Sequence, residues 1–103
     1  MIKFFVKTAE YDLMLKNQKP KILCVDDEPD NLDALERLFR AQFTVLRAKS
    51  GAEAISIIED NQKNNEDQSI CIVLTDQRMP AMTGVQLLSY CLQNYPDIIR
   101  ILL

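Results

Sequence analysis

The residues of this chain best placed to do chemistry are carboxylates: the run Asp26-Asp27-Glu28 and the single Asp76. The first follows the apolar run Ile22-Leu23-Cys24-Val25, and Asp76 follows Ile70-Cys71-Ile72-Val73-Leu74 and one threonine. Carboxylates gathered within a few ångströms repel one another and raise each other's pKa unless a cation sits among them. An all-oxygen set with this much negative charge suits a hard ion, Mg²⁺ above all, which keeps several waters and takes one or two carboxylates directly. Any one of Asp26, Asp27 or Asp76 alone would read better as a loop acid capping a helix. A pair and a further Asp, each following a buried strand, point to a shared site.

For acids so far apart in sequence to meet, the elements before them must be neighbours. Continuous apolar, β-favouring runs bounded by charge are expected for parallel strands covered on both faces. Two more runs fit, Phe43-Thr44-Val45-Leu46 and Ile98-Ile99-Arg100-Ile101-Leu102-Leu103. Between the runs lie helical patterns: Leu32, Leu35, Leu38 and Phe39 on one face, then Ala54, Ile55 and Ile58, then Val85, Leu88, Cys91, Leu92 and Tyr95. Pro29 suits a first helical turn, Ser50 with Glu53 and Thr83 with Gln86 make capping-box patterns, and Pro96 ends the third helix. The order strand, helix, strand, helix, strand, helix, strand predicts an α/β fold, an open parallel sheet with helices on both faces. Ligands in such sheets bind beyond the carboxyl ends of the strands, where strand order reverses. With strand order 2-1-3-4, strands one and three flank that point, and Asp26, Asp27 and Asp76 converge in one crevice.

Composition narrows the chemistry. A length of 103 residues, 48% hydrophobic and 26% charged, is that of one ordinary globular domain or part of one. A net charge of -3 argues against nucleic acid or an anionic membrane surface as partner. The chain has no histidine, which excludes Ser-His-Asp and Cys-His catalysis and His-ligated zinc. Two glycines, Gly51 and Gly84, exclude both a dinucleotide-binding loop and a P-loop. Cys24, Cys71 and Cys91 sit in apolar runs and read as small buried hydrophobes in a reducing compartment. No stretch approaches transmembrane length, so a cytoplasmic location is expected. Asp60 to Ser69 reads as a polar surface loop.

These residues resemble the receiver domain of two-component response regulators. The resemblance is carried by Val25-Asp26-Asp27-Glu28-Pro29, by Leu74-Thr75-Asp76-Gln77-Arg78-Met79-Pro80 and by Met82-Thr83-Gly84, and it covers Lys21 to Leu103. It implies a flavodoxin-like fold of strand order 2-1-3-4-5, bound Mg²⁺, and transfer of a phosphoryl group from the phosphohistidine of a sensor histidine kinase or phosphotransfer protein. Carried over residue by residue, Asp76 is the phosphoacceptor and Asp27 a direct metal ligand. Asp26 holds a metal-bound water, and the backbone carbonyl of Arg78 is a further ligand. Pro80 and Gly84 shape the loop that holds Asp76. A carboxylate can act as a covalent nucleophile, and phosphoryl transfer needs mainly positioning and charge neutralisation. An aspartate-nucleophile phosphatase is the rival from the enzyme class, but its motif wants a second Asp where this chain has Arg78. A receiver-like interaction module that is not phosphorylated is the other alternative.

The departures from the family pattern concern both ends. The family places a Ser or Thr after strand four and a Lys at the end of strand five, both directed at the phosphoryl group, and neither is in its usual place here. Residues 20–103 therefore read as a partial receiver domain without helix four, strand five and helix five. Its apolar strand-four edge is expected to promote self-association. Residues 1–19 lie outside the resemblance, as an N-terminal arm or an extra strand-helix segment. In the second case Ile2-Lys3-Phe4-Phe5-Val6-Lys7 lies beside strand four and brings Lys7 toward Asp76, as in a circular permutation.

Overall fold

The computed structural model describes residues 19–64 and 69–103. Four apolar runs become strands β1 (Lys21–Val25), β2 (Thr44–Ala48), β3 (Ile70–Thr75) and β4 (Ile99–Leu102). Helices α1 (Pro29–Phe39), α2 (Gly51–Asn64) and α3 (Gly84–Asn94) connect them. All neighbouring strands are parallel, in the order β2-β1-β3-β4. The expected α/β, flavodoxin-like arrangement is the one observed.

Because both faces of the two central strands are covered, their side chains divide between two cores. Leu23, Val25 and Val73 pack with Ala54 and Ile58 of α2 and Leu87 and Cys91 of α3 on one face. Ile22, Cys24 and Leu74 pack with Leu32 of α1 on the other. The register aligns Val25 with both Ala48 and Thr75, so β1, β2 and β3 end level. The residues that follow, Asp26 and Asp76, leave the sheet side by side. Backbone bonds fix that exit: Asp76 donates its N–H to the Val25 carbonyl at 2.9 Å, and Asp26 donates to the Ala48 carbonyl at 3.1 Å.

Several elements differ from the sequence reading. The stretch from Asp60 is not a loop as far as Asn64; α2 continues through it. Asn61 there accepts from Lys21 Nζ at 2.7 Å, and Gln62 accepts from the Ile70 N–H at 2.7 Å. Strand β2 runs on to Ala48, because Arg47 extends to Asp33 and Glu36 at 2.8 Å and needs no loop. Ile98 is a buried residue ahead of β4. Leu38, Val85 and Leu92 are exposed, and Leu87 takes the central buried place on α3. Cys24 and Cys91 are buried, whereas Cys71 is half-buried. No helix among the described residues is long and apolar enough to cross a membrane. Residues 1–18, on which the strand-helix alternative and Lys7 fall, lie outside the described residues.

Candidate functional site

Asp26, Asp27 and Asp76 each present a carboxylate oxygen within 4.8 Å of the other two. Asp26 is buried, with 3% of its surface exposed, while Asp27 and Asp76 reach solvent. Among the described residues no lysine or arginine side chain is paired with any of the three. Three negative charges at this separation favour a cation, and an all-carboxylate donor set open to water on one side fits a hard divalent ion that keeps part of its hydration.

Each acid is positioned by its surroundings. Asp26 Oδ1 accepts the Glu28 N–H at 2.9 Å, and its Oδ2 accepts Asn31 Nδ2 at 3.2 Å. The helix N-cap, Glu28, makes no side-chain capping bond of its own, and Pro29 follows it. Asp26 thus stabilises the start of α1 while facing its acidic neighbours, and both its oxygens are orientated before any ligand arrives. The capping role considered for single acids is a real part of its work.

Asp76 opens a loop that is tied down at three places. Gln77 accepts the Gly84 N–H on its carbonyl at 3.1 Å and the Val85 N–H on its side-chain oxygen at 2.9 Å, which joins the loop to the start of α3. Thr83 and Gln86 form the reciprocal capping box expected for that helix. Met82 donates its N–H to the Pro80 carbonyl at 2.7 Å across Ala81, whose φ of 69° lies in the left-handed region, the pattern of a γ-turn. Met82 also packs against Gly51, where an added Cβ would come within 2.9 Å of the Met82 Cβ. Gly84 is equally constrained. A Cβ there would fall inside contact distance of the Asp76 carbonyl oxygen. Arg78 lies in this loop, two residues after Asp76, and is exposed.

The cysteines take no part. Burial, then the nearby Glu36 carboxylate, pushes the Cys24 thiol up to about 11, and burial raises Cys91 as well. Both are protonated at neutral pH and inert as nucleophiles.

The sequence profile of the response regulator receiver domain matches residues 22–103. The chain belongs to that family. Among solved structures, a response regulator receiver domain protein from Clostridium thermocellum matches this receiver domain with a TM-score of 0.72 at 31% identity. That match covers 81% of this chain and 63% of the other. The signal receiver domain of an HD domain-containing protein from Pseudomonas fluorescens Pf-5 gives 0.70 at 27% identity, over 82% and 63%. The hydrogenase transcriptional regulatory protein HoxA of Cupriavidus necator is 34% identical over 89 residues, which are 86% of this chain and 17% of HoxA. The receiver domain thus spans about a sixth of that curated relative.

The sequence reading missed Asn31 and Gln77. Asn31 could have been found from its place in the first turn of α1, one turn from the acidic run. Gln77 had no such signal, since its side chain closes a loop whose shape depends on Ala81.

Proposed function

We propose that this receiver domain accepts a phosphoryl group on Asp76 from the phosphohistidine of a sensor histidine kinase or phosphotransfer protein, with Mg²⁺ held at the acidic site. The observation that carries the proposal is the meeting of Asp26, Asp27 and Asp76 at the ends of β1 and β3, with their oxygens within 4.8 Å. Asp27 and Asp76 would hold the ion directly, Asp26 would orient a water bound to it, and the Arg78 carbonyl would complete the protein ligands. When bound, Mg²⁺ neutralises the charge on the phosphoryl oxygens.

The chain's own part is positional and nucleophilic. An oxygen of Asp76 forms the new O–P bond as the P–N bond of the donor phosphohistidine breaks, and the bonding pair leaves with the imidazole. The short loop from Gln77 to Thr83 fixes the line of attack through its anchors on α2 and α3. The domain is a signalling module whose phosphorylated state is its output, and its buried thiols suit a reducing cytoplasm.

Titration with Mg²⁺, followed by amide shifts, tests the site. The Asp27 and Asp76 signals should move saturably at millimolar metal, and Asp27→Asn should abolish the effect. Unperturbed signals at those positions would overturn the reading.

A further inference from the structure

Gln77, the residue directly after Asp76, lies outside α3 yet holds half of that helix's first turn. A helix leaves the N–H groups of its N-cap and first three residues without partners in its own ladder. In α3 these belong to Thr83, Gly84, Val85 and Gln86. The capping box satisfies two of them: Thr83 donates to Gln86 Oε1 at 2.9 Å, and Gln86 donates to Thr83 Oγ1 at 3.2 Å. Gln77 takes the other two, Gly84 on its carbonyl at 3.1 Å and Val85 on its side-chain oxygen at 2.9 Å. Both the backbone and the side chain of Gln77 are therefore clamped to the helix start.

On its other side Gln77 adjoins the acidic site. The Asp76 backbone before it is fixed: its N–H is on the Val25 carbonyl and its carbonyl accepts from the Thr75 hydroxyl, both at 2.9 Å. After it, among the described residues, no backbone hydrogen bond holds Arg78, and the next backbone bond in the loop runs from Met82 to Pro80. The course of the chain from the Asp76 carboxylate to the Arg78 carbonyl thus pivots on Gln77.

We propose that Gln77 is a positioning residue that couples the metal site to the start of α3. The coupling rests on Mg²⁺ binding at Asp26, Asp27 and Asp76, and it adds a regulation of that site. While the Gln77 amide caps Val85, the backbone that carries the Asp76 carboxylate and the Arg78 carbonyl is held in one arrangement. When that bond opens, both groups gain freedom that binding must remove. The ion accordingly favours the capped helix end, and by linkage the capped helix end favours the ion by the same factor. One neutral hydrogen bond sets that factor at roughly 2–10-fold. A capping role alone has a different signature. Thr83 caps the same turn from within the helix, its hydroxyl accepting from Gln86, so its loss weakens α3 without releasing Arg78.

Mg²⁺ titration and amide hydrogen exchange on the intact chain test the coupling. In the parent, saturating Mg²⁺ should slow exchange of the Val85 amide roughly 2–10-fold and affect the Gln86 amide less. Gln77→Met, close to glutamine in length but without the acceptor, should speed the Val85 amide, weaken Mg²⁺ binding by the same factor and remove the response of Val85 to the metal. The Leu23 and Val73 amides should stay slow in that variant. Gln77→Glu, which restores an acceptor, should restore the slow Val85 amide and its response. Thr83→Ala should speed the Gln86 amide and leave Mg²⁺ affinity within about twofold of the parent. Mg²⁺ that moves the Asp27 and Asp76 signals of the parent without slowing Val85 more than Gln86 would overturn the coupling, and that measurement needs no variant. Unchanged affinity in Gln77→Met, or an equal loss in Thr83→Ala, would overturn it too. Asp27 and Asp76 signals indifferent to Mg²⁺ would overturn the metal site itself, and the coupling with it.

Discussion

Replacing Gly84 by alanine sets two effects of opposite sign against each other. Gly84 opens α3 without a positive φ, and in a helix the exchange of glycine for alanine ordinarily stabilises by about 0.5–1 kcal/mol. Here the new Cβ would press on the Asp76 carbonyl oxygen, at 3.0 Å from its carbonyl carbon and 2.8 Å from Leu102 Cδ1. The leucine can rotate away. The carbonyl cannot, because it belongs to the backbone of Asp76, whose N–H is held by the Val25 carbonyl, and it already accepts from the Thr75 hydroxyl at 2.9 Å. Overpacking of this kind costs about 1–3 kcal/mol, which at its centre exceeds the propensity gain and leaves a net loss of about 1 kcal/mol. For a domain of this size the loss corresponds to a fall in Tm of roughly 4–8 °C. Thermal and urea unfolding of the parent, Gly84→Ala and the double variant Gly84→Ala/Leu102→Ala would measure it. The double variant should recover little. A single variant as stable as the parent, or full recovery on truncating Leu102, would refute the argument that the Asp76 backbone leaves no room at Gly84.

Leu87 is fully buried between α3 and the sheet, and Leu87→Ala should cost about 2–5 kcal/mol in urea unfolding; a loss below about 1 kcal/mol would mean the α3 face packs elsewhere. Stability should fall at alkaline pH. The folded Cys24 thiol is raised from 9.0 to about 11, so its contribution is complete below pH 9 and is lost as pH climbs to 11, with Cys91 acting in the same sense. Urea midpoints across that window should decline, and Cys24→Ala should flatten the decline; a flat or rising midpoint in the parent would contradict the burial of these thiols.

The parts of the fold that depend on local pattern could be read directly. Ile22–Val25 and Ile70–Leu74 are apolar throughout because both their faces are covered, and that also fixed where the acids after them emerge. Thr83 and Gln86 marked the start of α3, since a capping box is a local device. The misreadings came from polar residues whose partners are distant. Asn61 and Gln62 looked like loop residues, yet they bond to Lys21 and Ile70, and Gln62 continues the face of Ile58 one turn on. The apolar run Phe43-Thr44-Val45-Leu46 stopped short of Arg47, although two acids on α1 stabilise its charge within β2. Leu38, Val85 and Leu92 fit helical stripes, and only the packed structure shows that no described element covers them. At the site, the types and positions of Asp26, Asp27 and Asp76 were legible. The turn at Ala81 was not, because alanine carries no preference for a positive φ.

The central claim is Mg²⁺-dependent phosphorylation of Asp76, and intact-mass analysis after incubation with acetyl phosphate tests it most directly. A gain of one phosphoryl group is expected in the presence of Mg²⁺, because the ion neutralises the charge on the phosphoryl oxygens. The gain should vanish with a chelator and in Asp76→Asn. A phosphoryl group that still appears on the Asp76→Asn chain, or none on the parent under conditions where Mg²⁺ is bound, would contradict it.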